Sequence, residues 1–301
     1  MTIGSAHSRR TILGGSLALA AAITATPALS LAAASRTSLT LTAPGNRAVS
    51  VSEWKPQGKV RGTILFSHGA LSAPWHYDAI MAPWIAAGYR VLAPLHVDSK
   101  EHPNTKDYPG LASWKCRIED MRVLIAHIGD APFVAAGHSY GGLVALTLGG
   151  SQGVMPEGMS GPFYPRLAKA VLSFSPPAPV PVLVTAEGYG KLSVPALIET
   201  GTIDNPPGTT DPDGWKGHLA AFDAAPGNDD LYSLVLQGAN HYFGGVICDA
   251  SQPGPPQLAQ IDLANRYAGL FLQAYGEGDA PALAALEARV TDDLPARLMR
   301  K

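Results

Sequence analysis

Gly137-His138-Ser139-Tyr140-Gly141 lies between two apolar runs, Phe133-Val134-Ala135-Ala136 before it and Gly142-Leu143-Val144-Ala145-Leu146 after it. A strand entering and a helix leaving would force a turn too tight for side chains at the flanking positions, which are glycines here. Such a turn lifts a serine hydroxyl clear of a sheet and sets it at a helix N-terminus. A serine held this way can attack an acyl carbon if a base takes its proton. His241, in Gly238-Ala239-Asn240-His241, is the candidate base. It follows the last apolar run, Ser233–Leu236, and no histidine comes after it. His218 is the runner-up, within a stretch that reads as a short helix, Trp215–Ala225. His138 adjoins the serine, must point elsewhere, and reads as support for the turn.

The base needs a carboxylate to fix its tautomer and stabilise its cation. Asp204 follows the run Ala196–Thr200 through Gly201-Thr202, a tight exit from a strand end. Asp211 and Asp213 compete from the same loop, and Asp249 is a more distant alternative. An attacked carbonyl becomes an oxyanion, which needs preorganised donors. The backbone N–H of Tyr140 is one. The second belongs to the turn after Thr63–Phe66, with Ala70 first and Leu71 next; His68 reads as orienting that turn. Trp75, Tyr140, Tyr242 and Phe243 lie close enough in sequence to these motifs to line an acyl pocket.

The elements that must position these residues alternate along the chain. Ser38–Thr42 and Val49–Trp54 alternate with period two and read as a paired start. Short apolar strands are then expected at Thr63–Phe66, Arg90–Ala93, Phe133–Ala136, Ala170–Phe174, Ala196–Thr200 and Ser233–Leu236. Helices are expected at Tyr77–Ala87, Trp114–Ile128, Gly141–Leu148 and Leu258–Tyr275, with one more over Pro281–Leu298. Alternating strands and helices imply an α/β fold, a mainly parallel sheet covered on both faces. The proline-rich stretch Ser175–Tyr189 reads as an irregular loop. No interruption is long enough for a cap domain.

The composition, 46% hydrophobic with a net charge of -2, suits a packed core and offers no basic surplus for nucleic acid. Ser8-Arg9-Arg10-Thr11-Ile12-Leu13, an alanine-rich apolar stretch and Ala32-Ala33-Ala34 follow the order of a bacterial export signal, with paired arginines resembling the twin-arginine type. Ile12 and Gly14 depart from that pattern. The expected division is a signal over residues 1–34 and one catalytic domain over 35–301, with the membrane involved only in export; an uncleaved anchor is the alternative. Two cysteines, Cys116 and Cys248, permit a disulfide in an oxidising compartment, and sequence leaves their pairing open. His68, His76, His96 and His102 lack a metal-ligand spacing, so neither metal nor other cofactor is expected.

Ser67-His68-Gly69, Gly137-His138-Ser139-Tyr140-Gly141-Gly142, Gly201-Thr202-Ile203-Asp204 and Gly238-Ala239-Asn240-His241 together resemble the α/β-hydrolase superfamily, on its dienelactone-hydrolase-like, platelet-activating-factor-acetylhydrolase-like and cutinase-like side. The similarity spans residues 37–275. It implies an eight-stranded, cap-free sheet and a Ser139-His241-Asp204 triad acting on a small or polymeric carboxylic ester. Lactonase, thioesterase, amidase or perhydrolase chemistry would use the same triad, and a secreted binding protein without catalysis is the reading from another class. Tyr140 stands where polyester hydrolases often carry Met, and the stretch after Ser175 lacks their usual Trp.

Overall fold

The computed structural model describes residues 1–2, 36–206, 209, 211–252 and 254–301. The segment expected to be an export signal, residues 1–34, and Ser35 lie outside the described residues, apart from Met1 and Thr2. The chain from Arg36 onward belongs to one compact unit. None of its described helices is long and apolar enough to cross a membrane.

Among the described residues, nine strands form one sheet, in the order β1-β2-β4-β3-β5-β6-β7-β8-β9. β1 (Arg36–Ala43) and β2 (Arg47–Trp54) form the expected antiparallel hairpin, and β2 runs antiparallel to β4 (Tyr89–Pro94). The strands β4, β3 (Gly62–Ser67), β5 (Val134–His138), β6 (Ala170–Phe174), β7 (Ala196–Gly201) and β8 (Leu231–Leu236) are all parallel. Their continuous apolar runs are what a strand covered on both faces requires. The loops carrying the motifs therefore leave the same edge of the sheet, after β3, β5, β7 and β8.

Helices cover both faces. On one, α1 (Asp78–Ala86) and α6 (Leu258–Phe271) pack Ile80, Trp84, Ile261 and Phe271 against Phe66, Phe174 and Leu234. On the other, α2 (Ser113–Ile128) and α3 (Tyr140–Leu148) pack Ile118, Leu124, Leu143 and Leu146 against Leu65, Ala135 and Ile198. Short helices α4 (Ala186–Tyr189) and α5 (Ala220–Ala224) lie in the loops after β6 and β7. The stretch expected as one helix from Trp215 opens as a 3-10 turn, Gly214–Leu219, before α5.

The tail departs from expectation. Only Ala280–Glu287 is helical (α7), and Ala296–Arg300 forms a ninth strand, β9, antiparallel to β8. The helical pattern ends before Asp292-Asp293-Leu294-Pro295, where proline removes a backbone donor. Beyond it, Ala296 and Leu298 are buried while Met299 is exposed, and the strand pairs with what would otherwise be the open edge at β8. The sheet thus has nine strands where eight were expected.

Candidate active site

Ser139 occupies the junction between β5 and α3 with φ 55° and ψ -121°, a left-handed φ that is costly for a residue with a Cβ. The turn is held by the Ser139 N–H on Phe174 O at 2.8 Å and the Leu143 N–H on Ser139 O at 3.1 Å. Its glycines are dictated by contact. A Cβ on Gly137 would meet Gly141 O at 2.1 Å, and one on Gly141 would meet Ser67 O at 1.9 Å. The serine is half-buried, at the first turn of a helix whose leading N–H groups lack intrahelical acceptors.

The loops after β7 and β8 bring Asp204 and His241 together. His241 Nδ1 lies 2.8 Å from Asp204 Oδ1, so it donates to the carboxylate and leaves Nε2 as the basic nitrogen. Asp204 Oδ2 accepts from Ser175 Oγ at 2.5 Å and Thr200 Oγ1 at 2.9 Å. Burial alone would raise this carboxyl, but the bonds and charges of His218 and His241 hold it well below the usual carboxylate range. Asp211, Asp213 and Asp249 take no part: Asp211 and Asp249 bond to their own loops, and Asp213 pairs with Lys216.

The turn after β3 is fixed from several directions. The Gly69 N–H donates to Tyr77 Oη at 2.9 Å, and the Ser72 N–H turns back to Gly69 O. Among the described residues, the Ala70 and Leu71 N–H groups bond to no protein acceptor, so they are the donors this turn can offer an oxyanion. His68 is locked: the His96 N–H donates to its Nε2 at 3.0 Å, so Nδ1 carries the hydrogen that reaches Gly69 O at 2.7 Å. Burial keeps that ring neutral, well below the ordinary histidine range. His138 is locked too. Its Nε2 donates to His241 O at 2.9 Å, so its Nδ1 accepts from Tyr77 Oη at 3.0 Å. One hydrogen-bonded chain thus runs from the Gly69 N–H through Tyr77 and His138 to the backbone of His241. A second tie joins the same loops, Ser72 Oγ to Cys248 O at 2.7 Å.

Beneath the turn lies Arg117, fully buried on α2. It pairs with both oxygens of Asp98 at 2.9 and 2.8 Å, and donates to His68 O at 2.8 Å, Gly69 O at 3.2 Å and Ser67 Oγ at 3.2 Å. Ser67 Oγ also contacts His96, whose other nitrogen lies 2.7 Å from Asp120. Burial pushes the Asp120 carboxyl up to about 6, against the pull of Arg47. No sequence signal marked Arg117, one basic residue within an amphipathic helix.

The four aromatic residues expected to line a pocket separate. Tyr242 is half-buried with its ring edge-on to His241, 5.1 Å between centroids. Tyr140 is buried, with Arg117 over its ring at 4.3 Å. Phe243 packs in the core, and Trp75 lines a separate cleft of about 130 Å³ with Val246 and Ile247. A larger cleft, about 440 Å³, lies at the far end of α3 around Thr147, Ser151 and Tyr164, away from Ser139. Both cysteines are free thiols, buried on α2 and in the loop after His241.

Among the described residues, Asp204, His218 and His241 are the group whose ligand-type atoms gather within 4.8 Å. Zinc at about 2.1 Å from each ligand would hold tetrahedral ligand atoms about 3.4 Å apart. His241 Nδ1 and Asp204 Oδ1 are 2.8 Å apart, a hydrogen-bond separation. His218 is the neighbour that sequence reasoning placed only as a rival base.

No family model matches this chain. The magnesium-chelatase 30 kDa subunit of Rhodobacter capsulatus is 26% identical over 257 residues, covering 81% of this chain and 80% of that protein. Among solved structures, esterase 2 of Thermogutta terrifontis, phosphoramylated by tabun, superposes with a TM-score of 0.58 at 15% identity, covering 80% of this chain and 95% of that one. An esterase of Pyrococcus furiosus gives 0.54 at 16% identity, with 80% and 91% covered. The thioesterase domain of the curacin biosynthetic pathway gives 0.52 at 14%, with 79% and 99% covered. In strand order, in the strand-to-helix turn at Ser139 and in its solved neighbours, this chain has the α/β-hydrolase fold.

Proposed function

We propose that this protein is a cofactor-free serine hydrolase that cleaves carboxylic esters through an acyl-enzyme. The observation that carries the reading is a serine at a strained strand-to-helix turn, on the same sheet edge as a histidine bonded to a buried carboxylate. Ser139 attacks the ester carbonyl while His241 Nε2 takes its proton. The N–H groups of Tyr140 and Ala70 hold the oxyanion, and Asp204 steadies the His241 cation. His241 returns the proton to the leaving alcohol, then activates water to release the acid. Esterases among the solved neighbours support the reading, one of them carrying an organophosphorus adduct.

The test is hydrolysis of p-nitrophenyl esters of increasing acyl length, with lactones, thioesters and anilides as comparison substrates. Ser139→Ala should lose on the order of 10⁴-fold or more in kcat, the scale seen when a triad nucleophile is removed. A fluorophosphonate should label the wild-type chain at Ser139. Full activity in Ser139→Ala would overturn the mechanism. The amino-terminal pattern supports export across a bacterial membrane; a mature chain purified from the periplasm or medium should begin near Ser35, and retention of Met1 in that fraction would count against cleavage.

A further inference from the structure

Asp204 carries two histidines on one oxygen. Its Oδ1 lies 2.8 Å from His241 Nδ1 and 3.2 Å from His218 Nε2. The other nitrogen of His218, Nδ1, lies 2.6 Å from Pro176 O. A carbonyl only accepts, so Nδ1 must carry a hydrogen. A neutral ring would then hold the electron-rich Nε2, which makes no aligned hydrogen bond, 3.2 Å from an anionic oxygen. Protonating both nitrogens removes that conflict. We propose that His218 is held as an imidazolium against Asp204, a positioning residue that offsets the charge of the triad acid and whose deprotonation limits the triad at high pH.

The surroundings fit a fixed cation. His218 is buried, 3% exposed, so water does little to screen it. Burial works against its proton, and the contacts with Asp204 outweigh that, raising it above the ordinary histidine value. His241 stacks against it with ring centroids 5.6 Å apart. His138, beyond His241, is neutral by its tautomer, and burial lowers it further. Glu199 on β7 is held protonated by burial and by the negative charge of Asp204, so it does not compete for the cation. Lys216, on the same 3-10 turn as His218, is exposed and paired with Asp213.

At high pH, loss of the His218 proton places a lone pair against Asp204 and disturbs the triad, giving an alkaline limb. This role rests on the esterase reading above; the charge state of His218 does not.

The protein is labelled with ¹⁵N-histidine, and the His218 ring is assigned by comparison with His218→Gln. Both ring nitrogens of His218 should show imidazolium shifts from pH 6 to 7.5. In p-nitrophenyl acetate hydrolysis, His218→Gln should lose the alkaline limb. A neutral His218 ring at pH 6, or a folded His218→Gln protein with the wild-type pH profile, would overturn the proposal. If His218→Gln fails to fold, His218→Asn supplies the assignment, and the wild-type ring spectrum decides the charge. A protein with a protonated His218 but no activity on any ester would sink the esterase reading and leave the charge assignment standing.

Discussion

Replacing Arg117 with leucine probes the support beneath the turn after β3. Arg117 is fully buried, and Asp98, its partner at 2.8 and 2.9 Å, is 5% exposed. Removing one member of a buried ion pair strands the other and costs about 3–5 kcal/mol. At about 2–4 °C per kcal/mol for chains near this size, the expected loss in Tm is on the order of 10 °C. The pH dependence has a definite sign. Burial alone would raise the Asp98 carboxyl, and Arg117 holds it well below its ordinary value. A depressed carboxylate contributes stability above its unfolded pKa of about 3.9 and loses it as pH falls toward the folded value. In Arg117→Leu the buried Asp98 has no cation, so it becomes harder to ionise. The gap in Tm between wild type and variant should be widest near pH 7 and should narrow as pH falls below the raised Asp98 value of the variant toward pH 3.5. Arg117→Leu/Asp98→Leu should recover the larger part of the loss, because an apolar replacement strands no charge. Thermal unfolding of the three proteins from pH 3.5 to 8 provides the assay. A single variant that loses less than about 1 kcal/mol, or a double variant no more stable than the single, would refute the argument. The His68 carbonyl also loses its Arg117 donor and the Gly69 carbonyl loses one of three, so kcat on an ester should fall in both variants.

Two further outcomes follow from the same geometry. Tyr77→Phe removes the hydroxyl between the Gly69 N–H and His138 Nδ1, stranding two buried groups. Stability should fall by about 1–3 kcal/mol and kcat more than KM should suffer, as read by denaturant unfolding and steady-state kinetics. Glu199 carries a buried carboxyl without a hydrogen-bond partner among the described residues, raised well above its ordinary range by burial and then by Asp204. A raised carboxyl contributes stability below its unfolded pKa and loses it as pH rises toward the folded value. Glu199→Gln should therefore melt with the wild type near pH 4 and above it near pH 8; equal Tm values at both pH values would contradict the buried neutral acid.

The serine turn was legible because its causes are local. An apolar strand, two glycines and an apolar helix occupy adjacent positions, and the contacts of Gly137 and Gly141 give the steric reason for them. The parallel core was legible because continuous apolar runs alternating with helical periods admit few other arrangements. The tail departs from the expected helix from Ala288 onward, and at Ala296–Arg300 a short apolar stretch fits strand or helix and the open edge of β8 decides. Phe243 shows the same limit: its place beside His241 in sequence suggested a pocket wall, and its positive φ and core packing put it inside.

The sequence by itself determined the order of the motifs, the turn at Ser139 and the pairing of strands into a mainly parallel sheet, because periodicity and turn chemistry act over a few residues. Only the tertiary structure decided that His218 shares the oxygen of Asp204, that Arg117 underpins a turn 48 positions away, and that two free thiols stay apart. The first two contacts join loops from different strands, and helix α2, at one edge of the sheet. Their partners are set by how the loops close over that edge, a property no local spacing encodes.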